Sequence, residues 1–520
     1  MYGSVATVVI LYALARVLYR LTLHPLAKIP GPKLAAATQL YQTYYGYHGG
    51  RSDFYQQVER LHKQYGPVVR ITPDEISLSD PDAYDKIYHV GTKYYKSSSY
   101  YRVFGSPSAT FTTIQNAVHA SGRSALNPFF SRKAVLHLEP LIQDKAAKLV
   151  QRLTEGLDAG CGSVELRCLF SALSVDVASD YVFHDCYNLL DNHPRFGHDF
   201  ANMVRGVLKG LWIFMQSKRL EAMMLSLPRW LSDRNTVIRK YNKLVDGTKA
   251  NVIKVKGQVD AGETANLTRR SIFHELLAPS DNVGLAPSRT VDELTDEGLS
   301  IMVAAALATG NALTMIAFHV LQNPDIYRWL REEIQQEFAD PEKPMNFLAL
   351  EKLPYLVCCV LLLATCPFID AAKTGVIKEG LRLSYGVIGC LPRVVPEPGA
   401  EFNGHFLPAG TVVGMSSWIM HRNPDIFPDP ERFDPERWTD PVKGRKLSRY
   451  LVSFGKDSRQ CIGMPLAYCE LYVTTAMLFR KYSDLELDGT KAEDMVYDDY
   501  FSAHNPETSR GMLVRRISKS

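Results

Sequence analysis

The sequence predicts a mainly α protein with a minor β region, folded as a single large domain behind an N-terminal membrane anchor. Three observations predict it. Apolar residues recur at helical spacing over most of the chain, only two short stretches have the turn-punctuated pattern of strands, and one strongly apolar run lies at the N-terminus. The chain has 520 residues, 46% of them hydrophobic, which suffices for one extensive core. Beyond residue 35 no repeat, low-complexity tract or long linker divides it. A net charge of +4 is too small and too dispersed for a nucleic-acid binder. Nine cysteines without a C-x-x-C pair indicate a reducing compartment rather than a disulfide scaffold.

Taken in order, the run from Val5 to Leu23, VATVVILYALARVLYRLTL, is just long enough to cross a bilayer. Residues 1–23 are therefore read as a membrane helix, with an amphipathic helix lying on the membrane as the alternative. Arg16, Arg20 and Lys28 cluster at its C-terminal end and favour a cytosolic body. Residues 24–34, HPLAKIPGPKL, read as a stiff proline-bearing hinge, and residues 35–520 as the globular domain. Helical patterns are clearest over Asp53–Tyr65, Leu136–Leu157, Leu169–Phe183, Asn235–Lys254 and Thr290–Leu321. The last opens on TVDE, which has capping-box spacing. Another helix begins at Asn323-Pro324, with the asparagine as N-cap. Residues 68–79 and 404–416 read as strand–turn–strand pieces.

The most informative stretch is FGKDSRQCIG, residues 454–463. Cys461 admits three roles: core packing, a disulfide, or a metal ligand. Packing needs neither the flanking glycines nor an arginine two residues away. A thiolate ligand uses both, since glycines let backbone N–H groups point at sulfur and the following helix offers its positive end. A bound metal keeps such a thiol deprotonated.

This stretch resembles the haem-binding loop of the cytochrome P-450 superfamily, F-x-x-G-x-R-x-C-x-G. One position departs: Asp457 stands where the family has glycine and adds a negative charge. The stretch E379-G-L-R382 resembles the family's E-x-x-R, whose spacing puts both charges on one helix face. Alone it would read as a surface pair. FDPERW supplies Arg437, to which the resemblance assigns the third place in a buried Glu379–Arg382–Arg437 network; DPERF (429–433) is a competing match. The resemblance implies haem b as cofactor, with Cys461 as axial ligand to iron and Arg459, Arg393, Arg123 and His119 around the propionates. His119 reads equally well as a core histidine.

Two further departures matter. The family carries an acid–alcohol pair on its long central helix; the corresponding positions here are Leu307 and Ala308, and only Thr309 remains as a catalytic hydroxyl. Asn311, ordered water and substrate hydroxyls are the other relay candidates. Residues 357–373, VCCVLLLATCPFIDAAK, interrupt an otherwise family-like helix start. Without them LEKLPYL joins TGVIKEGLRL at helical spacing, with Pro354 in the first turn. The block is read as a translated retained intron, with a membrane-touching insertion as the competing reading.

The resemblance, closest to fungal members in secondary metabolism, implies a monooxygenase acting on a small apolar molecule, terpenoid or polyketide-like. It implies electrons from NADPH through NADPH–cytochrome P-450 reductase, with cytochrome b5 as a second donor; Arg132 and Lys133 are candidate docking residues, with a solvated basic surface as the competing and preferred reading. It places the chain in the endoplasmic reticulum membrane, single-pass and in contact with lipid. The rival readings are a haem-thiolate enzyme that rearranges, dehydrates or cyclises an activated substrate without oxygen, and a non-productive haem protein.

Overall fold

In the computed structural model, residues Tyr2–Thr22 form one helix, and the side chains of Val5, Val8, Val9, Ile10, Leu11, Leu14 and Leu18 along it are all exposed. A helix that leaves most of its apolar surface unpacked on its own domain is shaped to bury that surface elsewhere, which suits a bilayer anchor. Its end is fastened to the body. Arg20 Nη1 donates to Ala37 O at 2.8 Å, and Arg70 Nη1 donates to Arg20 O at 3.0 Å. The segment expected to be a hinge is docked rather than free: Leu26 is buried, and Arg70 N donates to Pro30 O at 2.8 Å. That approach requires Gly31, because a Cβ there would lie 2.5 Å from Arg70 O.

The structure describes residues 2–48, 51–159, 162–192, 198–215, 226–267, 269–278, 289–340, 344–353, 355–356 and 375–517. Helices dominate. Phe54–Tyr65, Arg132–Asp158, Leu166–Phe183 and Thr236–Asp260 answer to four of the sequence patterns, the middle two starting earlier than their periodicity suggested. Ser131 and Asn235 cap their helices through side-chain oxygens. Asn323 does occupy the N-cap position of Pro324–Glu337, but its Nδ2 donates back to His319 O at 2.6 Å instead of capping.

The predicted long helix Thr290–Leu321 is two helices, Val291–Ala305 and Ala308–Gln322. Its start is as expected: Thr290 and Glu293 exchange the reciprocal bonds of a capping box. It breaks at Ala306-Leu307, where Leu307 leaves helical geometry (φ −129°, ψ −42°). Period counting cannot see such a break, because both halves keep the same apolar phase. The pair forms the centre of the core, with Leu166–Phe183 and Met464–Lys481 packed against the second half.

The two strand–turn–strand pieces are present, and the second divides between sheets. His405–Leu407 pairs with Ala400–Phe402. Val412–Gly414 joins a five-stranded sheet in the order Val68–Arg70, Glu75–Leu78, Val412–Gly414, Arg393–Val394, Tyr95–Lys96. Glu75–Leu78 and Val412–Gly414 run parallel; the remaining pairs are antiparallel. The last pair sets Lys96 opposite Arg393.

Pro354 and residues 357–373 lie outside the described residues. The flanks of the block are described, and they touch. Val376 N donates to Tyr355 O at 3.2 Å and Ile377 N to Leu356 O at 3.4 Å, at the start of the helix Val376–Leu383.

Candidate functional site

The site grows from that short helix. Glu379 and Arg382 share one face and are fully buried. Arg382 Nη2 and Nε donate to the two Glu379 oxygens at 2.7 and 3.0 Å, and its remaining N–H groups go to the carbonyls of His421, Pro430 and Arg432. Arg437 Nε reaches Glu379 at 3.3 Å, while Arg432 offers only its backbone, so FDPERW rather than DPERF supplies the third member. Trp438 Nε1 and Asp434 N complete the carboxylate's five hydrogen bonds, at 2.8 and 3.0 Å. A buried ion pair is tolerable only when satisfied in this way.

The network reaches the cysteine loop through His421, a residue that sequence reasoning missed. Burial and the Arg382 charge lower its pKa to about 3, so the ring is neutral. Its Nδ1–H donates to Arg382 O at 2.9 Å and its Nε2 accepts from Val452 N at 2.9 Å. Ser453 Oγ adds a bond to Leu381 O at 2.8 Å. The loop then closes on itself: Gly455 takes a left-handed φ of +69°, and Cys461 N donates to Phe454 O at 2.9 Å.

Cys461 precedes the helix Met464–Lys481. Its thiol is enclosed by protein yet reachable by solvent. Burial raises its pKa; the Gly463 N–H aimed at sulfur and the Arg123 charge act in the opposite sense. Bound iron would complete what these donors begin and hold the sulfur as thiolate. In the broken helix, Ala304 and Ala308 are exposed while Met302, Ala306, Leu307 and Gly310 are buried, so one face of this stretch borders open space.

Around the loop the structure collects a dense positive cluster. Arg393 is buried; its Nη2 donates to Asp457 at 3.2 Å and its Nη1 to Tyr101 OH at 3.2 Å. Lys96, also missed from sequence, lies 4.2 Å from the ring centroids of both Tyr101 and Phe111 and donates to Phe111 O. Arg123 Nη1 donates to Gln460 O at 2.5 Å. Arg459 gives its Nη groups to Thr113 O, Ile114 O and Asn116 Oδ1, leaving only its buried Nε without a partner. His119 is buried among these cations, and burial with Arg459, Lys96, Arg123 and Arg393 lowers its pKa to about 3.

Asp457 does not need glycine's freedom, since it is absent from the positive-φ residues. It accepts from Arg459 N at 2.6 Å as well as from Arg393. The cluster remains over-positive: Lys96, Arg123, Arg393 and Arg459 face one carboxylate. Lys96 and Arg393 are like charges directly opposite in a ladder, an unfavourable pairing unless anions intervene. Burial and its cationic neighbours accordingly pull the Lys96 pKa well below its ordinary value. A haem would bring two propionates to this cluster, which offset the excess, while the Cys461 thiolate would neutralise the positive charge of the ferric porphyrin core. The donor set fits that group.

Thr309 is half-buried at the start of Ala308–Gln322. Leu307 is buried, and Asn311 is already engaged, its Nδ2 donating to Ala503 O at 2.6 Å. Asn311 thereby fastens the strand Ser502–His504 to this helix. Arg132 is likewise paired with Glu351 on the domain itself.

A family model described as cytochrome P450 matches residues 35–361 and 367–509. The chain belongs to the cytochrome P450 family. It is 36% identical over 526 residues to a cytochrome P450 monooxygenase of Ascocoryne sarcoides, covering 97% of this chain and 96% of that protein. A conidiogenone synthase of Penicillium rubens is 35% identical over 515 residues, 97% of this chain and 96% of its own. A tryptophan 6-hydroxylase of Fusarium equiseti is 34% identical over 518 residues, 98% and 96%. As a P450 the protein is a haem-thiolate iron monooxygenase, which uses a redox partner and an apolar substrate.

Proposed function

We propose that Cys461 is the axial ligand to haem iron and that Arg393, Arg123 and Lys96, with the free Nε of Arg459, hold the propionates. The observation that carries this is the gathering of cations: Lys96, Arg123, Arg393 and Arg459 surround the single carboxylate of Asp457, and two propionates would offset that excess. Glu379, Arg382 and Arg437, through His421, position the loop and do no chemistry. When bound, the haem supplies reductive activation of oxygen and insertion of one oxygen atom into a substrate C–H bond. That stoichiometry consumes two electrons and two protons and releases water.

With Leu307 and Ala308 in place of an acid–alcohol pair, the Thr309 hydroxyl is the group that holds the incoming proton. Electrons come from NADPH through NADPH–cytochrome P-450 reductase, with cytochrome b5 as an auxiliary donor. The exposed apolar N-terminal helix supports a single-pass anchor in the endoplasmic reticulum membrane with the domain in the cytosol. The fungal relatives support a role in secondary metabolism. Product formation with and without NADPH and reductase is the test. Turnover that needs neither would favour the second reading, rearrangement or dehydration of an activated substrate, for which the missing acid at Leu307 speaks.

We further infer that the functional chain lacks residues 357–373. The family match stops at 361 and resumes at 367, inside the block. The bonds from Val376 N to Tyr355 O and from Ile377 N to Leu356 O join residues that become four apart once the seventeen are removed, the spacing of an α-helix. Transcript sequencing decides it: a mature message that retains these codons rules out the intron.

A further inference from the structure

On the helix Val291–Ala305, Glu297 is 2% exposed, and the mechanism does not use it. A buried carboxylate needs donors, and the places its bonds reach show what it can do. Its Oε2 accepts from Thr110 N at 3.0 Å and from Thr110 Oγ1 at 2.7 Å. Arg289 Nη1 donates to the same oxygen at 3.1 Å, and Arg289 Nη2 goes on to Gly122 O at 3.3 Å. One carboxylate therefore grips two things, the turn at Thr110 directly and the helix Asn116–Leu126 through Arg289.

Both carry cations of the haem site. The turn is stiff: the amides of Thr112 and Thr113 each donate to Ala109 O at 3.1 Å, and their hydroxyls donate to the same carbonyl at 3.1 and 2.9 Å. Ala109, Thr110 and Thr112 are all buried, so a displacement of Thr110 displaces the carbonyls that follow it. Those carbonyls are the acceptors of two cluster cations. Lys96 donates to Phe111 O, while Arg459 donates to Thr113 O at 2.5 Å and to Ile114 O at 2.9 Å. The helix carries a third, Arg123, which donates to Gln460 O at 2.5 Å, the carbonyl of the peptide bond to Cys461. We propose that Glu297 is a positioning residue, which sets Lys96, Arg459 and Arg123 where they can hold the propionates. An ionised acceptor suits that task, because hydrogen bonds to it are about twice as strong as neutral ones. The inference rests on the haem-thiolate reading and adds to it the group that aligns three of its four cations.

Haem transfer to excess apomyoglobin, together with the iron midpoint potential of the haem-loaded protein, tests the proposal. Glu297→Ala should release haem at least about tenfold faster, the order expected for losing hydrogen bonds to a charged acceptor. Its midpoint potential should fall, because displaced cations favour the added electron of ferrous haem less. A fold that is merely loosened releases haem faster at an unchanged potential. Glu297→Gln, which keeps an acceptor for Thr110, should stay within about threefold of the parent rate. Should Glu297→Ala not load haem, Thr110→Val, which gives up the hydroxyl donor alone, should speed release at least about threefold and lower the potential. Smaller accelerations, an unchanged potential, or a Glu297→Gln protein as fast as Glu297→Ala would overturn the proposal. The reduced, carbon-monoxide-treated spectrum of each preparation separates this failure from failure of the haem-thiolate reading: a red-shifted band throughout, with variants that behave as the parent, refutes only the role of Glu297.

Discussion

Replacing Glu379 by alanine strips five donors of one buried acceptor: two from Arg382, and one each from Arg437, Trp438 and Asp434. The Arg382 guanidinium, fully buried, then keeps its charge with only three carbonyls around it. Breaking a buried ion pair from one side costs about 3–5 kcal/mol. Set against a total stability of about 5–15 kcal/mol, that is a large fraction of what holds the fold. Because His421 relays the network to Val452, the loss falls on the cysteine loop first. Urea unfolding of the haem-loaded protein, with haem content read from the Soret band, measures both effects. Glu379→Ala should lose at least about 3 kcal/mol and most of its haem, while Arg437→Ala, which gives up one 3.3 Å contact to Glu379, should lose less. A Glu379→Ala protein that keeps its haem and unfolds within about 1 kcal/mol of the parent would refute the role given to the network.

Other predictions follow from single contacts. Deleting 357–373 should raise haem loading and stabilise the fold by about 2–3 kcal/mol from loop closure alone, read as the urea midpoint; a deletion protein that fails to fold contradicts the proposed register. Asp457→Asn keeps an acceptor for Arg459 N but removes the charge beside Arg393, so the iron midpoint potential should rise by on the order of tens of millivolts in spectroelectrochemical titration. Glu470 is buried, and desolvation raises it to about 8. An acid raised in the folded state contributes fully below its unfolded pKa and loses stability as pH rises towards the folded value. Glu470→Gln should therefore flatten a loss of up to about 1.4 kcal/mol per pH unit between roughly pH 4.5 and 8, seen in unfolding at several pH values.

Much of this was legible before any coordinates, for identifiable reasons. Cys461, Arg459, Glu379, Arg382 and Arg437 sit in short motifs whose spacing is fixed by one loop or one helix turn. Lys96 and His421 were not legible, because their roles come from long-range pairing: Lys96 from the strand register opposite Arg393, His421 from a ring whose two nitrogens join distant backbones. The break at Ala306-Leu307 escaped for another reason, since hydrophobic period reports which face is buried and not whether each backbone bond is made. The docking of residues 24–34 was hidden because proline-rich composition reports stiffness and says nothing about contact; Gly31 against Arg70 is what fixes it. Asp457 was visible as a departure, but its meaning required the partner, Arg393, sixty-four residues away.

The most direct measurement is the visible spectrum of the reduced, carbon-monoxide-treated protein beside that of Cys461→Ala. A strongly red-shifted Soret band in the parent, lost in the variant, is the result expected if sulfur at 461 is bonded to iron. The same band in both proteins would contradict the assignment from which the rest of the site is built.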